Sequence, residues 1–405
     1  MRPASLRHLT MVSITTLMLI ASAAASQPIS IHNFPKNLLG CEPSVLLMDP
    51  SGNLFGLAGD PNFDPNCGMI FELQPRSDRS WNFHVLHQSG KNSTFSQQGA
   101  FARDRKGNLF AATVANLYTD PQSAIVELSP ISDGTWTYHT IYTFGAGDGT
   151  LPSWLIADDS GNLYGENFLG GSGGGGTVFQ LSPAAGDQWT ETVLYNFPNG
   201  SYGGGPDGLV MDANGNLFGT TYFGGDCSVG SVFELQPGVN GWTYSLLHSF
   251  CIGDGNAPEG GLVIDRAGNL YGVDTEGGLG CDMVGCGLVF ELSPGPDGTW
   301  TESTVANLSV ANGDFPFALT MDSKGNLFGL TGAGGGQGYF GTMFKLSRCA
   351  NGQWCGDVIY RFSTDPTAKY PCCNLIVTPS GTIFGAITGA SGNEEWGAVY
   401  EWTLQ

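Results

Sequence analysis

The chain has 405 residues, with 15 lysines and arginines against 36 aspartates and glutamates, a formal charge of −21, and 41% hydrophobic and 11% aromatic residues. That apolar content excludes a disordered chain, and so acidic a surface excludes nucleic acid and anionic lipid as partners. The 62 glycines follow no collagen-like period and belong to many tight turns.

Residues 1–25 carry Arg2 and Arg7, an apolar run over 11–21 and the small cluster Ala23, Ala24, Ala25, the order of a secretory signal peptide. The run is short for a membrane anchor. We therefore expect a secreted protein, extracellular or periplasmic, with no membrane insertion. Residues 26–405 are expected to form a single domain. Without the signal the formal charge is −23, which keeps a secreted β-protein soluble and its sheet edges apart.

From there one phrase returns to the end of the chain. Its core, Gly-Asn-Leu-aromatic-Gly, spans 52–56, 161–165, 215–219, 268–272 and 325–329, with degenerate copies at 107–111 and 381–385. The spacings are 55, 54, 54, 53, 57 and 56 residues. Each period parses into four strands. In the fourth, strand A is read at 208–212, strand B at 216–222, strand C at 231–236 and strand D at 242–250, with a glycine-rich loop over 224–230. Four short strands per unit at this period predict a β-propeller blade. Strand A is apolar on both faces, as packing between neighbouring blades demands. The glycine closing the strand B phrase fits a close approach by a neighbouring strand. Strand D opens on Trp81, Trp136, Trp189, Trp242, Trp300 and Trp354, read as structural cover at outer edges or blade junctions.

The seventh unit ends after its strand C. Residues 31–35 match 194–198 and resemble 247–250, both strand D segments. The expected fold is therefore all-β: a seven-bladed β-propeller of four-stranded antiparallel blades, closed by the N-terminal strand completing the last blade.

The long phrase over 208–225, followed by Gly-Ser-Val-Phe-Glu-Leu-Gln-Pro, resembles the GloVer tandem repeat of secreted bacterial proteins. The resemblance covers essentially the whole mature chain. It implies an extracellular propeller and brings no established chemistry. Many such chains end in a surface anchor, which this one is expected to lack.

Asp49, Asp104, Asp158, Asp212, Asp265 and Asp322 each precede a turn glycine by three residues, where a carboxylate accepts backbone N–H groups. A shared ring of metal ligands is excluded, since such turns lie tens of ångströms apart at about 4.8 Å per strand. Better candidates are Asp148, Asp254 and Asp314 in the strand D to strand A loops, Asp207 and Glu259 at strand A entrances, and Trp154 as an aromatic platform. Such oxygen-rich acids suit calcium or a sugar, although no contiguous calcium loop is present. Two motif matches are set aside as turn chemistry: the nucleophile-elbow pattern at 170–174 and the approximate Asp-box at 293–300. His32, His87 and His248 fill strand D positions held elsewhere by tyrosine, so no catalytic residue is assigned.

Ten cysteines follow the signal, in keeping with an oxidising compartment. Expected pairs are Cys281 with Cys286, Cys349 with Cys355, Cys227 with Cys251 and Cys41 with Cys67, which leaves Cys372 and Cys373 unassigned. The leading expectation is a monomeric, non-catalytic module binding a polysaccharide or a protein. The alternatives are a glycan lyase or hydrolase using Asp207, Asp254 and Glu259 at the channel mouth, and a structural protein of an envelope or matrix.

Overall fold

In a computed structural model the chain forms a seven-bladed β-propeller. The structure describes residues 28–35, 42–59, 68–89, 93–95, 100–115, 123–145, 147–198, 204–251, 253–278, 281, 285–336, 340–362, 370–388 and 395–404. Residues 1–25, read as a signal peptide, and the expected Cys41–Cys67 pair lie outside the described residues.

The recurring aspartate organises the A-to-B turn. Asp212 Oδ1 accepts the N–H groups of Asn214 and Asn216, both at 2.8 Å, and its carbonyl accepts the Gly215 N–H at 3.1 Å. Gly215 sits at φ 85°, a left-handed conformation that a side chain would strain. In the seventh blade the Thr378 hydroxyl takes the aspartate's place, accepting the Thr382 N–H at 3.0 Å.

The strand B glycine admits the close approach expected of a neighbouring strand, here through an aromatic ring. In five blades it pairs with a strand C phenylalanine: Gly56 with Phe71, Gly165 with Phe179, Gly219 with Phe233, Gly272 with Phe290 and Gly329 with Phe344. A Cβ on any of these glycines would overlap the paired ring. The second blade, whose strand C lacks the aromatic, pairs Ala111 with Val126. Gly219→Ala is therefore expected to cost about 1–3 kcal/mol through overpacking. Adding Phe233→Val should recover part of that loss, read as a favourable coupling in a denaturant double-mutant cycle.

Blades are joined by aromatics. Each strand D tryptophan meets a strand B aromatic of the preceding blade edge-on: Trp136 meets Phe55, Trp189 Phe110, Trp242 Tyr164, Trp300 Phe218, Trp354 Tyr271, and Trp81 meets Phe384 across the ring closure. Farther along the same strands, His32 stacks on Phe83, His87 on Tyr138 and Tyr195 on Tyr244. The histidines thus pack between outer strands. The core is accordingly a ring of interblade clusters, such as Phe218, Phe250, Leu262 and Phe290 between the fourth and fifth blades.

The N-terminal strand Ile29–Pro35 is the outermost strand of the seventh blade and runs antiparallel to Glu395–Thr403. Innermost strands of consecutive blades touch all the way round, and the last touches the first. Those strands begin earlier than their apolar pattern suggests: the fourth spans Gly204–Met211, because pairing continues on the far side of a bulge between Pro206 and Leu209. In the second blade Ser93–Phe95 and Phe101–Arg103 both pair with the strand Leu109–Ala115.

Three expected cysteine pairs are disulfides, Cys227–Cys251, Cys281–Cys286 and Cys349–Cys355, with Cα separations of 5.3, 5.5 and 5.8 Å. They suit an oxidising environment. Cys372 and Cys373 are free thiols.

Candidate functional site

The strand A bulges surround a central cavity of about 450 Å³. That size falls within the range of small-molecule sites. The bulges arise where the strand passes its proline: Pro43, Pro152, Pro206, Pro258, Pro316 and Pro371 each precede a register shift. A proline gives no N–H to the ladder, and the extra residue after it re-aims the next side chains. Most of the wall is aliphatic, with aromatic rings from Phe101, Trp154 and Phe317 and polar groups from Asp207, Glu259 and Asn374.

Asp207 and Glu259 come from the innermost strands of the fourth and fifth blades. Asp207 is 7% exposed and accepts the Gly260 N–H. Burial, and then the Glu259 carboxylate, push Asp207 up to about 8. Burial also raises Glu259, opposed by the Thr275 hydroxyl, which donates to its Oε2 at 3.0 Å. Behind them, on strand B of the third blade, Glu166 is fully buried. Its Oε2 accepts the Gly208 N–H at 2.8 Å, while Oε1 has no hydrogen-bond partner. Burial, then Asp207, raise Glu166 well above the ordinary carboxylate range. Glu166 and Asp207, on consecutive blades, thus favour the neutral acid, which can donate as well as accept.

The Trp154 indole reaches from the third blade over Gly261 of the fifth. A Cβ at Gly261 would come within 2.9 Å of its Cζ2 and Cη2. A Cβ on Gly208 would in turn overlap the Gly261 backbone. These glycines keep the indole at the cavity wall.

Of the six residues singled out in the sequence, Trp154, Asp207 and Glu259 come together here. Asp148, Asp254 and Asp314 are not among the residues lining the cavity. Asp148 accepts the Tyr142 hydroxyl at 2.8 Å and the Gly145 N–H at 2.7 Å. Asp254 accepts the Cys251 N–H at 2.6 Å and lies 3.3 Å from His248 Nε2. Both turn back toward the outer strands, where they raise Glu191 and Glu302 to about 7, after burial as the larger cause. Asp314 begins its strand opposite Ala333, with Oδ1 buried and unpartnered. Among the described residues no group of three or more histidine, cysteine, aspartate or glutamate side chains could hold a metal ion. The acids at 254 and 274 are joined by Glu302, and Asp274, fully buried with both oxygens unpartnered, is raised well above the usual range by burial first and then by those neighbours.

Solved structures are similar to this chain. The extracellular domain of a proposed one-component system from B. thetaiotaomicron is 13% identical, with a TM-score of 0.50 over 93% of this chain and 44% of its own. A protein of unknown function from Dyadobacter fermentans is 14% identical, with a TM-score of 0.48 over 78% of this chain and 96% of that one. A luciferin-regenerating enzyme is 14% identical, with a TM-score of 0.45 over 75% and 90%. Identity this low shows the fold alone. No family model matches the chain, and no curated protein matches it with significance.

Glu166 escaped the sequence reading because it sits in the strand B phrase, which looks architectural. The signal was nonetheless present. The residue after the strand B glycine or alanine is Leu57, Ala112, Thr220, Val273, Leu330 or Ala386 in the other copies, and an acid only at Glu166.

Proposed function

We propose that the chain is a secreted, GloVer-type propeller, preceded by a signal peptide at 1–25, whose central cavity binds a carbohydrate without turning it over. The observation that carries this reading is a cavity with aromatic rings on its wall and, at one side, Asp207 held toward the neutral acid. Sugar rings present apolar faces that pack on aromatics, and hydroxyls that both give and take hydrogen bonds. An acid held protonated matches those hydroxyls better than a buried anion would, because it offers a donor and avoids an unpaired charge.

A second reading, a glycan-active enzyme, is favoured by the raised Asp207 beside Glu259. A carboxyl group poised near neutral pH next to a second one is the arrangement general acid–base chemistry uses. One experiment separates the two: a glycan array followed by turnover assays on the glycans retained. Binding without turnover is the expected result. Trp154→Ala should weaken binding tenfold or more, about 1.4 kcal/mol. Asp207→Asn should keep it at neutral pH, since an amide copies the shape of the neutral acid. Turnover that disappears in Asp207→Asn would establish the enzyme instead, and a blank array would leave the structural reading.

A further inference from the structure

Eight of the ten cysteines lie among the described residues; six form disulfides, and two adjacent ones, Cys372 and Cys373, remain thiols. They occupy the innermost strand of the seventh blade, Tyr370–Val377, within its bulge: Cys372 pairs with Ala386, and regular pairing resumes only at Leu375 with Gly385. Cys373 and Asn374 are therefore looped out of the ladder. Asn374 pins the loop to the first blade, accepting the Leu46 N–H at 2.9 Å and donating to the Leu46 carbonyl at 2.8 Å. Cys373 is held at φ 64°, a left-handed conformation rare for a residue with a side chain.

The two sulfurs have different surroundings. Cys373 lines the central cavity. Cys372 packs against the buried cluster that contains Leu46, Ala58 and Phe384 at the junction with the first blade, and its thiol donates to the Pro43 carbonyl at 3.2 Å. The two side chains are neighbours on one bulge, and the Cys373 side chain, then burial, raise the Cys372 thiol well above its usual range. Every other described cysteine is bridged, so the surroundings that oxidised those would meet this pair as well.

We propose that Cys372 and Cys373 form a redox modification site on the cavity wall, closing to a disulfide between neighbouring residues by exchange with a glutathione-type or protein disulfide. The Cys373 thiolate, reached through the cavity, attacks one sulfur of the external disulfide and releases one thiol. The Cys372 sulfur then gives up its proton and displaces the second thiol from Cys373. One S–S bond forms in the chain, one external disulfide is reduced to two thiols, and two protons pass to them. The order follows from access, and it agrees with the neighbouring Cys373 side chain and the burial that hold the Cys372 thiol above its usual range. Adjacent Cα atoms are about 3.8 Å apart, short of the usual span of about 4.4–6.8 Å, so the bridge is strained and yields to milder reductants than the other three. The inference does not depend on what the cavity binds.

The test uses the full chain, produced in an oxidising compartment and purified without reductant. It is denatured in N-ethylmaleimide, digested without reduction and weighed, before and after incubation with oxidised glutathione. The expected result is a peptide carrying Cys372 and Cys373 with neither alkylated, lighter by two hydrogens than the dithiol. In a graded dithiothreitol series it should become alkylatable before Cys227–Cys251, Cys281–Cys286 and Cys349–Cys355 open. In Cys372→Ser, Cys373 should take up one glutathione. Both thiols still alkylated after oxidised glutathione, with the other three bridges intact, would overturn the proposal. So would a Cys372→Ser protein that takes up none, or a disulfide from either residue to Cys41 or Cys67.

Discussion

Deleting residues 28–35 is expected to lower the melting temperature by on the order of 10 °C. The deletion removes the outer strand of the seventh blade and leaves Glu395–Thr403 as an unpaired edge. It also removes Phe34, 1% exposed, which packs with Leu46, Phe71, Phe384 and Val399 at the junction that closes the ring. Phe34→Ala alone should cost about 3–5 kcal/mol, the usual range for truncating a buried phenylalanine. His32 contributes its stack on Phe83, with ring centroids 3.8 Å apart. A melting temperature unchanged by the deletion, read by calorimetry or near-UV circular dichroism, would remove the closure from the account.

Raising the pH from about 6.5 to about 9 should destabilise the protein by about 2 kcal/mol through Asp207 alone. The sign follows from the shift. The folded protein holds Asp207 at about 8, above its ordinary 3.8, so the native state binds the proton more tightly than the unfolded chain. The resulting stability is fully present below about pH 4 and is lost as the pH rises through about 8. Glu166 and Asp274 are raised by burial and add in the same direction. His32, lowered to about 4 by burial, acts oppositely but only below its ordinary value of 6.5, outside this window. Asp207→Asn should flatten the profile between neutral and alkaline pH and raise stability at its alkaline end. Equal slopes for the two proteins in chemical denaturation across the window would show that Asp207 ionises without cost.

The fold was legible because its determinants are local and repeated. The Asp212 turn, the Gly219–Phe233 pair and the Trp242 junction each recur at one period, and residues 31–35 carry a strand D pattern at the wrong end of the chain. The cavity was only partly legible. Asp207 and Glu259 stand directly after strand A prolines, so their place near the axis could be read from the period. Whether Asp148 and Asp254 turn inward depends on local competition for their oxygens, which the Tyr142 hydroxyl and the Gly145 and Cys251 N–H groups win. No spacing reveals that outcome. Glu166 and the reach of the Trp154 indole over Gly261 depend on how three blades meet, a property of the bulges that the repeat averages away.

If regular positions build the scaffold and irregular ones carry the function, two substitutions should separate. The most direct measurement is titration calorimetry of a glycan retained on the array against the wild type, Trp154→Ala and Asp212→Ala, each at a temperature where all three are folded. Asp212→Ala removes a turn carboxylate that bonds only within its own hairpin among the described contacts, and it should melt earlier while binding with unchanged affinity. Trp154→Ala should keep the fold and lose binding tenfold or more. Affinity that survives in Trp154→Ala, or falls in Asp212→Ala, would contradict the assignment of function to the central cavity.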